Sequence, residues 1–267
     1  MKLPKFKEQK ELFDFLSKNR DMLIHAKKTD IKKVDCIKVV KSELVNKEPL
    51  QNVSELQEIK VNVIINTTNI IDSHNDLHLP GLWTKSLQEN KYLMHLQEHQ
   101  RDFDKIIADG DDLKAYTQMF KFSDLGEDLN GNTQALVFES IVKRDRNEYM
   151  FNQYANGYVK QHSVGMQYIK IQLAINDPDY PEFEIWKKYV GEVANVEKAN
   201  EEGYFYVVLE AKVLEGSAVP LGSNHITPTQ SVEEIKEIKT EPVIEPSADT
   251  QKETTQQEFI NHIINKL

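Results

Sequence analysis

The chain has 267 residues, 39% hydrophobic and 9% aromatic, enough to bury one substantial core with helices or tails appended. No apolar run nears the ~20 residues of a membrane-spanning helix, and the opening MKLPKFKEQK lacks the apolar core and cleavage site of a secretory signal. The single cysteine, Cys36, excludes an intrachain disulfide framework and a Cys-rich zinc site, so a cytosolic protein is expected.

The net charge of −10 is unevenly spread. The first 50 residues hold 13 basic against 8 acidic side chains, and the rest hold 20 against 35. An acidic body argues against nucleic-acid binding, and the basic head, with its lysines scattered among acids, reads as a solvated helical face.

In chain order, Leu12, Phe13, Phe15, Leu16, Leu23 and Ile24 predict one amphipathic helix over 9–28, a docking element. EIKVNVIINTT puts Ile59, Val61, Val63 and Ile65 on one side of a strand, and IIDSHNDLHLPG reads as a loop. LWTKSLQEN suggests a short helix, and 113–120 and 135–142 are strand candidates. KRDRNEYMFNQYANG reads as a helix stopped by Gly157. QHSVGMQYIK then opens a strand with Ser163 at its mouth and Gly165 where another group can approach closely. PEFEIWKKYVGEVANVEKANEEG predicts a surface helix, and GYFYVVLEAKVLEG the strongest strand, 203–216. Acids, prolines and no aromatic predict a disordered acidic linker over 226–256, and EFINHIINKL a short amphipathic helix over 257–267. The expected organisation is a helical extension over 1–55, a main domain over 56–225, then linker and terminal helix.

Two constellations carry chemistry. HLQEH matches H-x-x-E-H, in which two imidazoles four apart on a helix, His95 and His99, share a zinc ion with Glu98 nearby. The second is a serine, a histidine and an acid drawn from distant segments, which can form a nucleophile, base and orienting acceptor only if the fold joins them.

The ordered series NTTNIIDSHNDLHLPGLWTKSLQEN, LQEHQ, QHSVGMQYIKI and AKVLEGSAVPLGSN resembles the prohead maturation proteases of tailed bacteriophages. That family shows D-x(3)-D-x(3)-PG-x(4)-SL, a histidine, an S-x-G strand start and an E-x-S-x-V strand. The resemblance covers 60–224, and KLPKFKEQKELFDFL resembles the opening of one branch of the family.

The resemblance implies an α+β, mostly β fold: an assemblin-like closed β-barrel ringed by helices, related to the herpesvirus capsid proteases, with an N-terminal helix and a disordered C-terminal tail. It implies a serine endopeptidase with Ser163 as nucleophile, His99 as base and Glu215 as the acidic third member, without a cofactor or metal. His95 competes with His99, and Glu210 shares the strand of Glu215. His162, next to Ser163, faces the other way on a strand and is expected to be a wall or surface residue. Gln100 stands where the family's histidine is commonly followed by aspartate, and KIIADG replaces Pro-Ile-Gly. The implied partners are the major capsid protein and the scaffolding protein, with self-association, self-cleavage and no membrane, in the host cytoplasm inside the assembling procapsid. Two alternatives stay open: the zinc peptidase built on HLQEH, and a non-catalytic capsid-assembly or scaffold protein of the same fold.

Overall fold

The computed structural model describes residues 4–29 and 50–235. The fold is α+β with more strand than helix, and no helix among the described residues is long and apolar enough to cross a membrane.

The N-terminal helix is two helices, α1 (Gln9–Lys18) and α2 (Arg20–Thr29). Asn19 separates them. Its backbone N–H and side-chain amide both donate to Phe15 O, at 3.0 and 2.8 Å, and terminate the first helix. Phe13, Leu16 and Leu23 are buried in the main core. At the far end of α2, Lys27 is paired with the fully buried Asp76.

One sheet runs in the order β5 (Leu113–Lys121), β6 (Asn132–Lys143), β1 (Glu58–Thr67), β9 (Thr229–Glu234), antiparallel throughout. In the second, β8 (Tyr204–Val219) is the central strand. The long strand β7 (Gln161–Ile175) pairs antiparallel along one side of it. Along the other side lie two short parallel strands, β2 (Asp76–His78) and β3 (Met94–Gln97), and β4 (Ile106–Asp109) pairs with β3. Ile59, Val61 and Phe138 of the first sheet and Val164, Met166, Val208 and Val213 of the second share one core.

The expected closed barrel is not formed: among the described residues the strands make two separate sheets that pack face to face. Closure needs continuous strand-to-strand hydrogen bonding around the ring. Here β2 and β3 are too short to extend the ladder, and no strand pairs across to the first sheet.

The short helix α3 (Thr84–Glu89) and helix α4 (Glu148–Ala155) lie where the sequence puts them. Asn147 Oδ1 accepts from Met150 N at 3.0 Å at the start of α4, and Gly157, with φ 67°, follows its end. The predicted helix over 181–203 is divided into α5 (Phe183–Tyr189) and α6 (Val196–Glu202). Between them the side chain of Asn195 accepts from Ile71 N–H at 2.8 Å and donates to Ile71 O at 3.0 Å. The loop over 70–81 contains β2, whose three residues are buried by pairing with β8.

Residues 226–235 of the expected linker are structured instead. Ile226 is buried, and 229–234 form β9 on the edge of β1. Residues 236–256 of that linker and the terminal helix over 257–267 lie outside the described residues.

Candidate active site

Alternation along β7 and β8 sorts their residues onto two faces. Val164 and Met166 point to the main core, and so do Val213 and Ala218. Gly216, opposite Val164, is on that side too: a Cβ there would lie 2.6 Å from Phe138 and 2.9 Å from Ile65. The opposite face therefore carries Ser163 and Gly165 from β7 and Glu215 and Ser217 from β8, with Ser163 directly across from Ser217 and Gly165 across from Glu215. This parity depends on a bulge. Gly165 pairs with Glu215 but Met166 with Val213, so Leu214 is an extra residue in β8. In a regular ladder with Leu214 paired, Glu215 and Val213 would share a face.

Histidine 99 reaches this face from the end of β3. Gln97 pairs with Ala218, Glu98 N–H donates to Ala218 O at 2.9 Å, and the chain reverses in a turn closed by Gln100 N–H to Gln97 O at 2.9 Å. Both central residues have positive φ, 52° for Glu98 and 58° for His99. Mirror-image turns of this kind usually take Asn-Gly, and left-handed backbone at a non-glycine residue costs roughly 1–2 kcal/mol. Such strain concentrates at functional sites because the surroundings must hold it in place.

Three hydrogen bonds hold it. His99 Nδ1–H donates to Glu215 Oε1 at 2.6 Å, His99 N–H donates to Ser217 Oγ at 3.1 Å, and Ser217 Oγ–H donates to Glu215 Oε2 at 2.6 Å. Glu215 is 4% exposed and Ser217 fully buried. The other imidazole nitrogen, His99 Nε2, is buried with no hydrogen-bond partner. With Nδ1 protonated against the carboxylate, Nε2 keeps its lone pair and can accept a proton. Glu215 also explains the glycine two residues after Ser163: its Oε1 lies 1.9 Å from where a Cβ on residue 165 would stand.

The structure thus brings Ser163, His99 and Glu215 to one face of one sheet. It does not join Ser163 Oγ to His99 Nε2 by a hydrogen bond, since Nε2 has no partner. Glu210 is elsewhere, opposite Lys170, whose Nζ lies 2.5 Å from its carboxylate.

The helix that the H-x-x-E-H reading needs is absent. HLQEH forms strand β3 and the turn after it, so His95 and His99 do not share a helical face. His95 points into the core in a buried chain that also contains His162. A carbonyl oxygen can only accept, so His162 Nδ1–H donates to Thr227 O at 3.0 Å. His162 Nε2 then accepts from Tyr154 O–H at 2.9 Å, Tyr154 O accepts from His95 Nε2–H at 3.0 Å, and His95 Nδ1 accepts from Ser140 O–H at 3.0 Å. Both imidazoles are neutral in this chain. Burial pushes His162 down to about 4, and burial followed by the nearby His162 holds His95 well below the usual histidine range. His162 is accordingly a buried wall residue on the face opposite Ser163.

Among the described residues, no group of three or more His, Cys, Asp and Glu side chains is placed to hold a metal ion. Sequence reasoning passed over Ser217. The signal was available in its spacing, because a residue two beyond Glu215 on the same strand lies on the same face. No protein-family model, no curated protein and no solved structure matches the chain.

Proposed function

We propose that the protein is a serine endopeptidase of phage head maturation. The observation that carries the reading is the imidazole of His99, with Nδ1–H bound to Glu215 Oε1 at 2.6 Å and Nε2 buried and unpartnered, on the sheet face that bears Ser163. A proton acceptor oriented by a carboxylate beside a serine on the same surface is the arrangement that activates a hydroxyl for attack on a peptide carbonyl.

In this mechanism His99 Nε2 takes the proton of Ser163 Oγ as the oxygen attacks. The tetrahedral intermediate collapses when the imidazolium returns that proton to the leaving amine, and water repeats the sequence to free the acyl group. Glu215 keeps the tautomer and stabilises the imidazolium. Backbone N–H groups near Val164 or Gly165 are the candidates to hold the oxyanion. The hydrogen bond from Ser163 to His99 forms when substrate binds, as such bonds often do.

The order of the four sequence segments supports an assemblin-like relationship, which here does not rest on a closed barrel. The substrate class that follows is the scaffolding protein, or the scaffolding segment of the major capsid protein, cut inside the procapsid, together with the enzyme's own chain.

The test is co-expression with the capsid and scaffolding proteins of the same phage, read by mass spectrometry. The parent should yield discrete cleavage products, and a folded Ser163→Ala protein should yield none. Products from the Ser163→Ala protein would overturn the reading.

A further inference from the structure

We propose that Ser217 is a positioning residue for the peptidase reaction: its hydroxyl fixes both the Glu215 carboxylate and the turn that carries His99, so that the imidazole is presented to Ser163 in one orientation. The inference rests on the Ser163–His99–Glu215 reading above.

Ser217 bonds both of its neighbours at once. Its Oγ–H donates to Glu215 Oε2 at 2.6 Å, and the same oxygen accepts from His99 N–H at 3.1 Å. With the bond from His99 Nδ1–H to Glu215 Oε1 at 2.6 Å, the three residues close a ring. The ring grips His99 at both ends, main chain and imidazole.

Each half of that grip answers a specific freedom. A glutamate carboxylate rotates about a broad, roughly two-fold terminal torsion. One oxygen bound to an imidazole does not fix the plane, and the second bond, from Ser217, does. The turn at His99 is strained by two consecutive positive φ angles, and its N–H is anchored by Ser217 Oγ.

The anchor itself is rigid. Ser217 is fully buried in β8, with Ser163 of β7 opposite it on one side and Leu96 of β3 on the other. The strand that carries the anchor is therefore paired directly with the strand that carries the nucleophile. A small residue would suffice to fill the space, and only a hydroxyl can donate to the carboxylate and accept from the N–H together.

The experiment compares Ser217→Thr with Ser217→Val, two side chains of the same shape of which only the first has a hydroxyl. The readout is the rate at which a fluorophosphonate labels Ser163, in which Oγ bonds to phosphorus, fluoride leaves and the serine proton passes to His99. A misplaced reacting group costs up to about 100-fold, so the valine variant should label about 10- to 100-fold more slowly and the threonine variant within about threefold of the parent. The loss should lie in the saturated rate constant rather than in the half-saturating reagent concentration. The proton resonance of His99 Nδ1–H, assigned through its absence in His99→Gln, should persist in the threonine variant and broaden away in the valine variant. Ser217→Ala, which removes the hydroxyl without adding bulk, carries the same expectation if the β-branched pair does not fold.

Equal labelling of the threonine and valine variants, or parental labelling of Ser217→Ala, would overturn the role. A parent that takes no label would instead overturn the peptidase reading. The resonance then decides the role of Ser217: loss in valine alone supports it, and persistence in both variants refutes it.

Discussion

A methyl group at position 165 would occupy the place of a carboxylate oxygen, since the Cβ would fall 1.9 Å from Glu215 Oε1. Gly165→Ala must push Glu215 aside and with it the partner of His99. We expect the variant to fold, with cleavage or Ser163 labelling reduced on the order of 100-fold. A structure of the variant should show the bond from His99 to Glu215 lengthened, and full activity would show that Glu215 is dispensable. Ser163→Ala and His99→Ala should each cost on the order of 10⁴- to 10⁶-fold in rate, and the double variant hardly more, because members of one proton-transfer unit are strongly non-additive. His95→Ala should act differently. It removes a link of a buried chain and leaves Tyr154 and Ser140 without a partner on that side, so its effect should appear in thermal unfolding.

Among the elements, α2 is held by Leu23 in the main core and by a buried ion pair at its far end. Asp76 is fully buried, paired with Lys27 and accepting from Tyr168 O–H at 2.8 Å. Lys27→Met removes this ammonium from beside the buried carboxylate, which should cost up to about 3–5 kcal/mol. Hydrogen exchange should show α2 opening first. The alternation of β1, β5, β6, β7 and β8 and the helix stop at Gly157 were legible in the sequence because each is a local pattern. The breaks at Asn19 and Asn195 were not, since each depends on what a side-chain amide finds to bond. Strand β2 escaped notice because three residues become a strand only beside β8. Of the site, Ser163, His99 and Glu215 came from family resemblance. Their shared face was hidden, because it depends on the extra residue Leu214 and on a turn that Glu98 and His99 would not be expected to form.

For the whole molecule, the buried chain of His95, Tyr154 and His162 ties stability to pH. Burial pushes His162 down to about 4, so between the ordinary histidine value near 6.5 and that point the unfolded chain binds a proton that the folded one refuses. Stability should be fully present above about pH 6.5 and fall as the solution is acidified, by on the order of 3 kcal/mol from His162 alone. His95, held low mainly by burial, acts in the same direction. Denaturant titrations from pH 7.5 to 4.5 should show the midpoint decreasing, and a flat profile would contradict the neutral assignment. The extent of the fold is testable by truncation. A chain ending at residue 235 keeps β9 and the bonds between Thr227 and His162, and should unfold as the full chain does. One ending at residue 225 loses both and should unfold several degrees lower.

The bulge at Leu214 gives β8 something like a reading frame. Ala211 and Val213 face the main hydrophobic core, and from Glu215 onward the odd-numbered residues belong to the opposite surface. A substitution at Leu214 changes one side chain, and its deletion removes the extra residue, leaving Val213 and Glu215 consecutive and on opposite faces as they are now. Inserting one residue between Gly165 and Met166 would instead give Leu214 a partner and straighten the ladder: with Val213 still in the core, Glu215 and Ser217 would be turned toward Phe138 and Ile65. Both changes abolish the bulge. The deletion should leave a working site, and the insertion should erase the site by miscounting it.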